Sequence, residues 1–262
     1  MWLTSVPVWV LVVVGLVVAL AVAGGSRLAI AAIVPAAERD HVQGIAAPLM
    51  PALGATFAVL TALTLSSEAG YLRTAEDIVS REAADASRLA WASTSPEVDS
   101  APIQEALATY LRATREDEWE GSVDEGDQGT PTTVALATLE RAVRVEAART
   151  ELGTPASTEL LTSLDALTAG RRSRLAAADR DLPGLYVITL VASGVALIAN
   201  AGALAFRSSV RTSLLVAGLA CVVGLSLALL FAIAAPWDGG LVATGEPIDA
   251  VLRDLGAEFF SP

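Results

Sequence analysis

Four uncharged stretches, each long enough to cross a bilayer, flank an acidic segment, two before it and two after, and this pattern leaves few folds open. They run from Met1 to Ser26, Val42 to Ser67, Leu182 to Phe206 and Thr212 to Trp237. Each exceeds the roughly 20 residues that cross about 30 Å of hydrocarbon at a rise of about 1.5 Å per residue. Hydrocarbon gives backbone amides no water to bond, so stretches of this kind must be helices. The expected class is an all-α membrane protein. Its transmembrane helices lie at about 2–25, 43–67, 184–206 and 212–235, with a helical soluble domain between the second and third. The domain boundaries that follow are 1–67, 68–181 and 182–237, with a C-terminal tail at 238–262.

The charge is concentrated in the middle. Between Glu68 and Asp181 there are 22 acidic residues against 12 arginines, so this segment carries ten of the chain's twelve net negative charges and should repel nucleic acid. His41 and Cys221 are each the sole residue of their type. That removes multi-histidine metal sites, an intramolecular disulfide and a Ser-His-Asp arrangement. No nucleophile, metal cluster or phosphate loop is visible, and the expectation is a non-enzyme without cofactor. Ala21-Val22-Ala23 resembles a signal-peptide cleavage site. No positive charge precedes it, however, and the apolar run is too long, so the first stretch reads as an uncleaved span.

Leu28 to Val34 should extend the first helix past the membrane surface or lie on that surface. The second span carries Pro48 and Pro51 between Gly44 and Gly54 and should kink there, with that face turned to a neighbouring helix or a cavity. Beyond it, Leu72, Ala75, Val79, Ala83, Ala86 and Leu89 form a stripe at three- and four-residue spacing. Ser100 as N-cap with Pro102 just inside opens a helix bearing Ile103, Leu107, Tyr110 and Leu111. The acidic run Glu116 to Asp127, with its glycines, reads as a loop. A third helix should start near Thr130 and Pro131, carry Val134, Leu139, Val143 and Ala147, and stop at Gly153. A fourth should start at Thr154 and Pro155 and run through Leu160, Leu164, Leu167 and Leu175 to just before Pro183.

Four spans put both termini and the middle domain on one face. Arg73, Arg81, Arg171, Arg172, Arg174, Arg180 and Arg253 lie near span ends on that face, against Arg27, Arg39, Arg207 and Arg211 in the short loops. The arginine balance places the domain and termini in the cytoplasm of a cell whose plasma membrane holds the protein.

Several local patterns then fall in a familiar order. Asp40-His41 leading into Gly44, Ala58 to Leu63 closing the second span, and Glu82-Ala83 come first. Arg171-Arg172-Ser173-Arg174-Leu175 before Leu182-Pro183, and Pro236 to Val242 followed by Pro247 and Val251-Leu252, complete the set. This order resembles the bestrophin-like family of bacterial four-span proteins. The chain departs from that pattern at Val42 and Gln43, where an Asn-Asp pair is usual, and at Trp237, where a phenylalanine is usual. The resemblance implies kinship with bestrophins, pentameric anion channels with a helical cytosolic region, in which the second span lines a pore with an apolar constriction. Carried onto this chain it implies a lining face of Phe57, Leu60, Thr61 and Thr64, the phenylalanine gating by dewetting and the hydroxyls bonding an anion. The same residues read equally well as bundle packing, with the threonines bonded to their own helix.

His41 beside Asp40 is a pH-sensing or interfacial candidate. The acidic run lacks EF-hand spacing and reads as a solvated loop, not a calcium site. Arg171, Arg172, Arg174 and Arg180, just before the third span, are candidates for lipid head groups or for concentrating anions. The functional expectation is a homo-oligomeric, ring-like passive anion channel with lipid, further copies of itself and small anions as partners. The alternative is a membrane-anchored sensor or scaffold whose middle domain binds a partner. Charge-free spans argue against a proton-coupled transporter.

Overall fold

The computed structural model describes residues 8–35, 39–119, 130–178, 184–205, 210–233 and 243–261, without the side chains of 31 and 39–43. Among the described residues the chain is helical, with no strand. The helices are α1 (Val8–Ile33), α2 (Arg39–Ala92), α3 (Ser100–Ala113), α4 (Pro131–Ala147), α5 (Thr154–Ala178), α6 (Gly184–Leu204), α7 (Val210–Ile233) and α8 (Glu246–Gly256). A five-residue π-helical turn, Thr114–Glu118, extends α3. Among the described residues four helices are long and apolar enough to cross a membrane, within Val8–Ile30, Gly44–Ala92, Gly184–Leu204 and Val210–Ile233.

The chain packs as two compact units. The first holds Met1–Tyr71, Asp181–Ala235 and Gly239–Leu241. In it α1 packs on α6 and α7, and α6 on α7. The core comprises Ala19, Ala23, Phe57, Leu190, Leu197, Ile198, Ala201, Val216, Ala220, Val223 and Leu230. Between two membrane helices there is no hydrophobic driving force, so close backbone approach has to supply the packing. Gly15 and Gly224 do so. A Cβ on Gly224 would stand 2.7 Å from the Gly15 carbonyl oxygen, and one on Gly15 would stand 2.8 Å from that of Gly224. The Arg27 guanidinium donates to Ser213 Oγ at 2.8 Å, tying α1 to α7 at another point.

The second unit holds Leu72–Arg180, Pro236–Asp238 and Val242–Pro262. Its core runs from Ala75, Val79, Ala86 and Leu89 of α2 through Ile103, Leu107 and Leu111 of α3 to Leu139 and Val143 of α4. Leu160, Leu164 and Leu167 of α5, Ile248 and Val251 of α8, and Phe260 complete it. The stripe expected on α2 is therefore its buried face. Trp91, Phe259 and Phe260 meet edge to face at centroid separations of 5.2–5.5 Å. Gln104 Nε2 donates to the Phe260 carbonyl at 2.8 Å.

Several local expectations shift. The N-cap of α3 is Asp99 rather than Ser100, and its amide donates to Glu146 Oε1 at 2.8 Å. The helix expected near Thr130 and Pro131 starts there as α4, with Thr130 Oγ1 accepting from the Thr133 amide at 3.3 Å as its cap and Pro131 in the first turn. That helix ends at Ala147, short of Gly153, and Val134 faces outward while Ala135, Leu136 and Leu139 face in. Arg115 to Glu118 belong to the π-helical turn, so the acidic segment begins as ordered helix. Residues 120–129 lie outside the described ones.

Candidate functional site

Two places in the chain carry polar chemistry that packing alone does not require, and each lies within one unit.

The first is the apolar half of α2. Phe57 is buried in the bundle core, and a Cβ on Gly194 of α6 would meet its ring carbon Cε2 at 3.2 Å. Leu60 packs partly against the same core. Thr64 Oγ1 donates to the Leu60 carbonyl at 2.8 Å, one turn back in its own helix. Thr61 Oγ1 is buried and has no hydrogen-bond partner among the described residues. The face proposed for a pore on the strength of the resemblance thus points into its own subunit. The opposite face is outward and, from Ala52 to Ser66, is richer in small and hydroxylated residues than the valine and leucine stretches exposed on α1 and α7. From residue 52 to 66 it carries Ala52, Ala55, Thr56, Ala58, Ala62 and Ser66, with Val59 and Leu63 as its bulky members there and Ile45 and Leu49 exposed nearer the start of the helix. The outward faces of α1 and α7 present Val13, Val14, Val17 and Val18, and Leu214, Leu215, Val222 and Leu225.

The second place is an ion cluster inside the second unit. Glu82 of α2 and Arg174 of α5 are both buried, with Arg174 Nε donating to Glu82 Oε2 at 2.7 Å and Nη2 to Oε1 at 3.3 Å. Tyr110 Oη of α3 donates to Glu82 Oε1 at 2.8 Å. Arg174 Nη2 also donates to Glu118 Oε2 at 2.9 Å, and Arg171 holds the same Glu118 carboxylate through Nε and Nη2. Arg171 Nη2 reaches Thr133 Oγ1 of α4 at 3.1 Å. Two carboxylates and two guanidinium groups therefore neutralise one another across α2, the π-helical turn and α5. A Cβ on Gly170 would lie 3.3 Å from Glu82 Cα, so α5 meets α2 almost backbone to backbone at this point.

The ionisation of the cluster follows from these contacts. Burial opposes the charge of Arg174, but the charge and hydrogen bonds of Glu82, with Tyr110 and Glu118, raise its pKa above the ordinary arginine value. Burial alone would raise Glu118, yet the bonds and charges of Arg171 and Arg174 hold it below the usual carboxylate range. Burial, then the neighbouring Glu82 charge, push Tyr110 well up, which keeps it a hydroxyl donor. A carboxyl whose folded pKa is depressed stabilises the fold fully above its unfolded value and loses that contribution as pH falls through the folded one. The wild-type protein should therefore lose melting temperature on acidification below about pH 4. Glu118→Gln should melt lower at neutral pH and show a flatter acid limb in the same scan.

Arg174, expected at a lipid or anion surface, is thus turned inward. Arg171 is mostly buried against Glu118, and Arg172 is exposed. Arg180 and the side chain of His41 lie outside the described residues. Among the described residues no cluster of His, Cys, Asp or Glu has the makings of a metal site. The sequence reading missed Glu82, Tyr110 and Glu118 as partners. The available signal was a charge on a core stripe: Glu82 lies among Ala75, Val79, Ala83 and Ala86, and Arg174 lies seven residues past Leu167.

The chain resembles a solved bacterial bestrophin homologue from Klebsiella pneumoniae carrying a point mutation, with a TM-score of 0.69 over 93% of this chain and 98% of that one. At 12% identity the likeness is one of fold. A search of curated protein sequences finds no significant match. The profile of the Bestrophin-like domain matches residues 8–248, nearly the whole length, and the chain belongs to the Bestrophin-like family of membrane proteins.

Proposed function

We propose that the protein is a passive channel for small anions, built as a ring of identical subunits with the outward face of α2 towards the symmetry axis. The observation that carries this reading is the contrast between that face and the rest of the membrane surface. Helix faces towards acyl chains can be bulky and apolar, as at Val13 to Val18 of α1 and Leu214, Leu215, Val222 and Leu225 of α7, whereas faces towards protein are enriched in small and hydroxylated residues. α2 presents alanine, threonine and serine outward. A single subunit offers no wide polar interior, so a pore requires several copies about a symmetry axis. Val59 and Leu63, both more than half exposed, are then the bulky apolar members of the lining, and Thr56 and Ser66 offer hydroxyl donors to a partly dehydrated anion. The middle segment and the termini face the cytoplasm in this reading, in line with the arginine balance.

The test is chloride efflux from liposomes holding the purified protein. Leu63→Ala should raise efflux several-fold by widening the constriction. Phe57→Ala should instead lower the melting temperature, because it empties a packed position. Silence from wild type and Leu63→Ala alike, with the oligomer intact, would reject the channel and turn attention to an anchored scaffold whose helical unit binds a partner.

A further inference from the structure

Asn200 is the sole asparagine of the chain and sits on α6 within a charge-free span. Its side-chain amide donates to the carbonyl of Ala46 on α2 at 2.9 Å, and the same nitrogen lies 3.5 Å from Met50 Sδ. The bond lands in the stretch of α2 whose own ladder is weakest. Pro48 and Pro51 have no amide hydrogen, so the carbonyls of Gly44 and Ala47 lose the donors four residues on, and each ring crowds the turn before it. Gly44 and Gly54 bracket this stretch, and among the described residues a Cβ at either would meet nothing within 4 Å. The segment 44–54 is thus a weakened helix with free space at both ends, and Asn200 supplies a side-chain bond across to it from a neighbouring span. A primary amide in hydrocarbon is costly unless bonded, so this contact resists being broken without replacement.

We propose that Asn200 is a positioning residue that clamps a hinge in α2 at Pro48–Pro51 against α6, and that release of the clamp lets the short arm of α2 before Pro48, residues 39–47, pivot. In an assembly whose pore is lined by α2, that pivot sets the width of the pore end formed by the start of α2, beyond the constriction at Val59 and Leu63. The consequence for conduction rests on the channel reading above; the clamp does not.

Amide hydrogen exchange on the purified, reconstituted protein tests the clamp directly. In Asn200→Leu the amides of Leu49, Met50, Ala52 and Leu53 should exchange about three- to twentyfold faster, the span corresponding to a side-chain hydrogen bond between membrane helices. In a Pro48→Ala/Pro51→Ala background, where the ladder is complete, the same substitution should leave those rates unchanged. An equal acceleration in both backgrounds would reduce the contact to ordinary interhelical packing and overturn the proposal, as would no acceleration in either. Asn200→Ser, small and still a donor, provides the measurement if the leucine variant does not fold, and should exchange at an intermediate rate. Chloride efflux that shifts in Asn200→Leu but not in the proline-free background ties the hinge to conduction. Efflux absent from every protein including wild type rejects the channel while leaving the exchange result to decide the clamp.

Discussion

Arg174→Met should lower the stability of the second unit by about 3–5 kcal/mol, the usual cost of removing one partner from a buried ion pair. The substitution leaves Glu82 and one oxygen of Glu118 in a core where neither meets water. At roughly 2–4 °C per kcal/mol for a chain of this size, the melting temperature should fall by about 6–20 °C. Thermal unfolding in detergent, read by circular dichroism, measures it. The second arm matters more than the first. Glu82→Gln combined with Arg174→Met removes the orphaned charge and should recover most of the loss, since replacing both members of a buried pair is often close to neutral. If the double variant is as unstable as the single, the cluster contributes through its shape and not through its charges.

Gly224→Val should be the most damaging single change in the membrane unit. The added side chain would start 2.7 Å from a backbone oxygen of α1 and 3.1 Å from the Cβ of Ala19, and a backbone atom cannot rotate aside as a side chain can. α1 and α7 must then separate, which costs about 1–3 kcal/mol or more and removes the contact that unites the first and last spans. Gly218→Ala, on the same helix, is the matched control. Nothing lies within 4 Å of a Cβ there, so the variant should melt with the wild type. Equal losses in both would mean that α7 depends on glycine for reasons other than the crossing.

The spans and most soluble helices could be read in advance because their signals are local. A charge-free run and a threonine-proline helix start need only a few neighbouring residues. Arg174 was misplaced for the opposite reason. Its neighbours Arg171 and Arg172 make it look like part of a basic girdle, whereas its partners stand 92 and 56 residues away, on α2 and in the π-helical turn. Phe57 shows a different limit. In a membrane helix both faces are apolar, so spacing alone cannot separate a side chain packed against Gly194 from one facing a neighbouring copy or lipid. The contrast that does separate the faces is size and hydroxyl content, visible at Ala52, Thr56, Ala62 and Ser66 once the inward side is known.

The core of the second unit also sets an order of events during synthesis. It draws on Ala75 and Leu89 early in the chain and on Ile248, Val251 and Phe260 at its far end, with two spans made in between. At roughly 5–20 residues per second the ribosome needs about 10 to 40 s to travel between those points. Throughout that interval the apolar stripe of α2 lacks part of its cover. The unit can complete its core only after α6 and α7 have been synthesised.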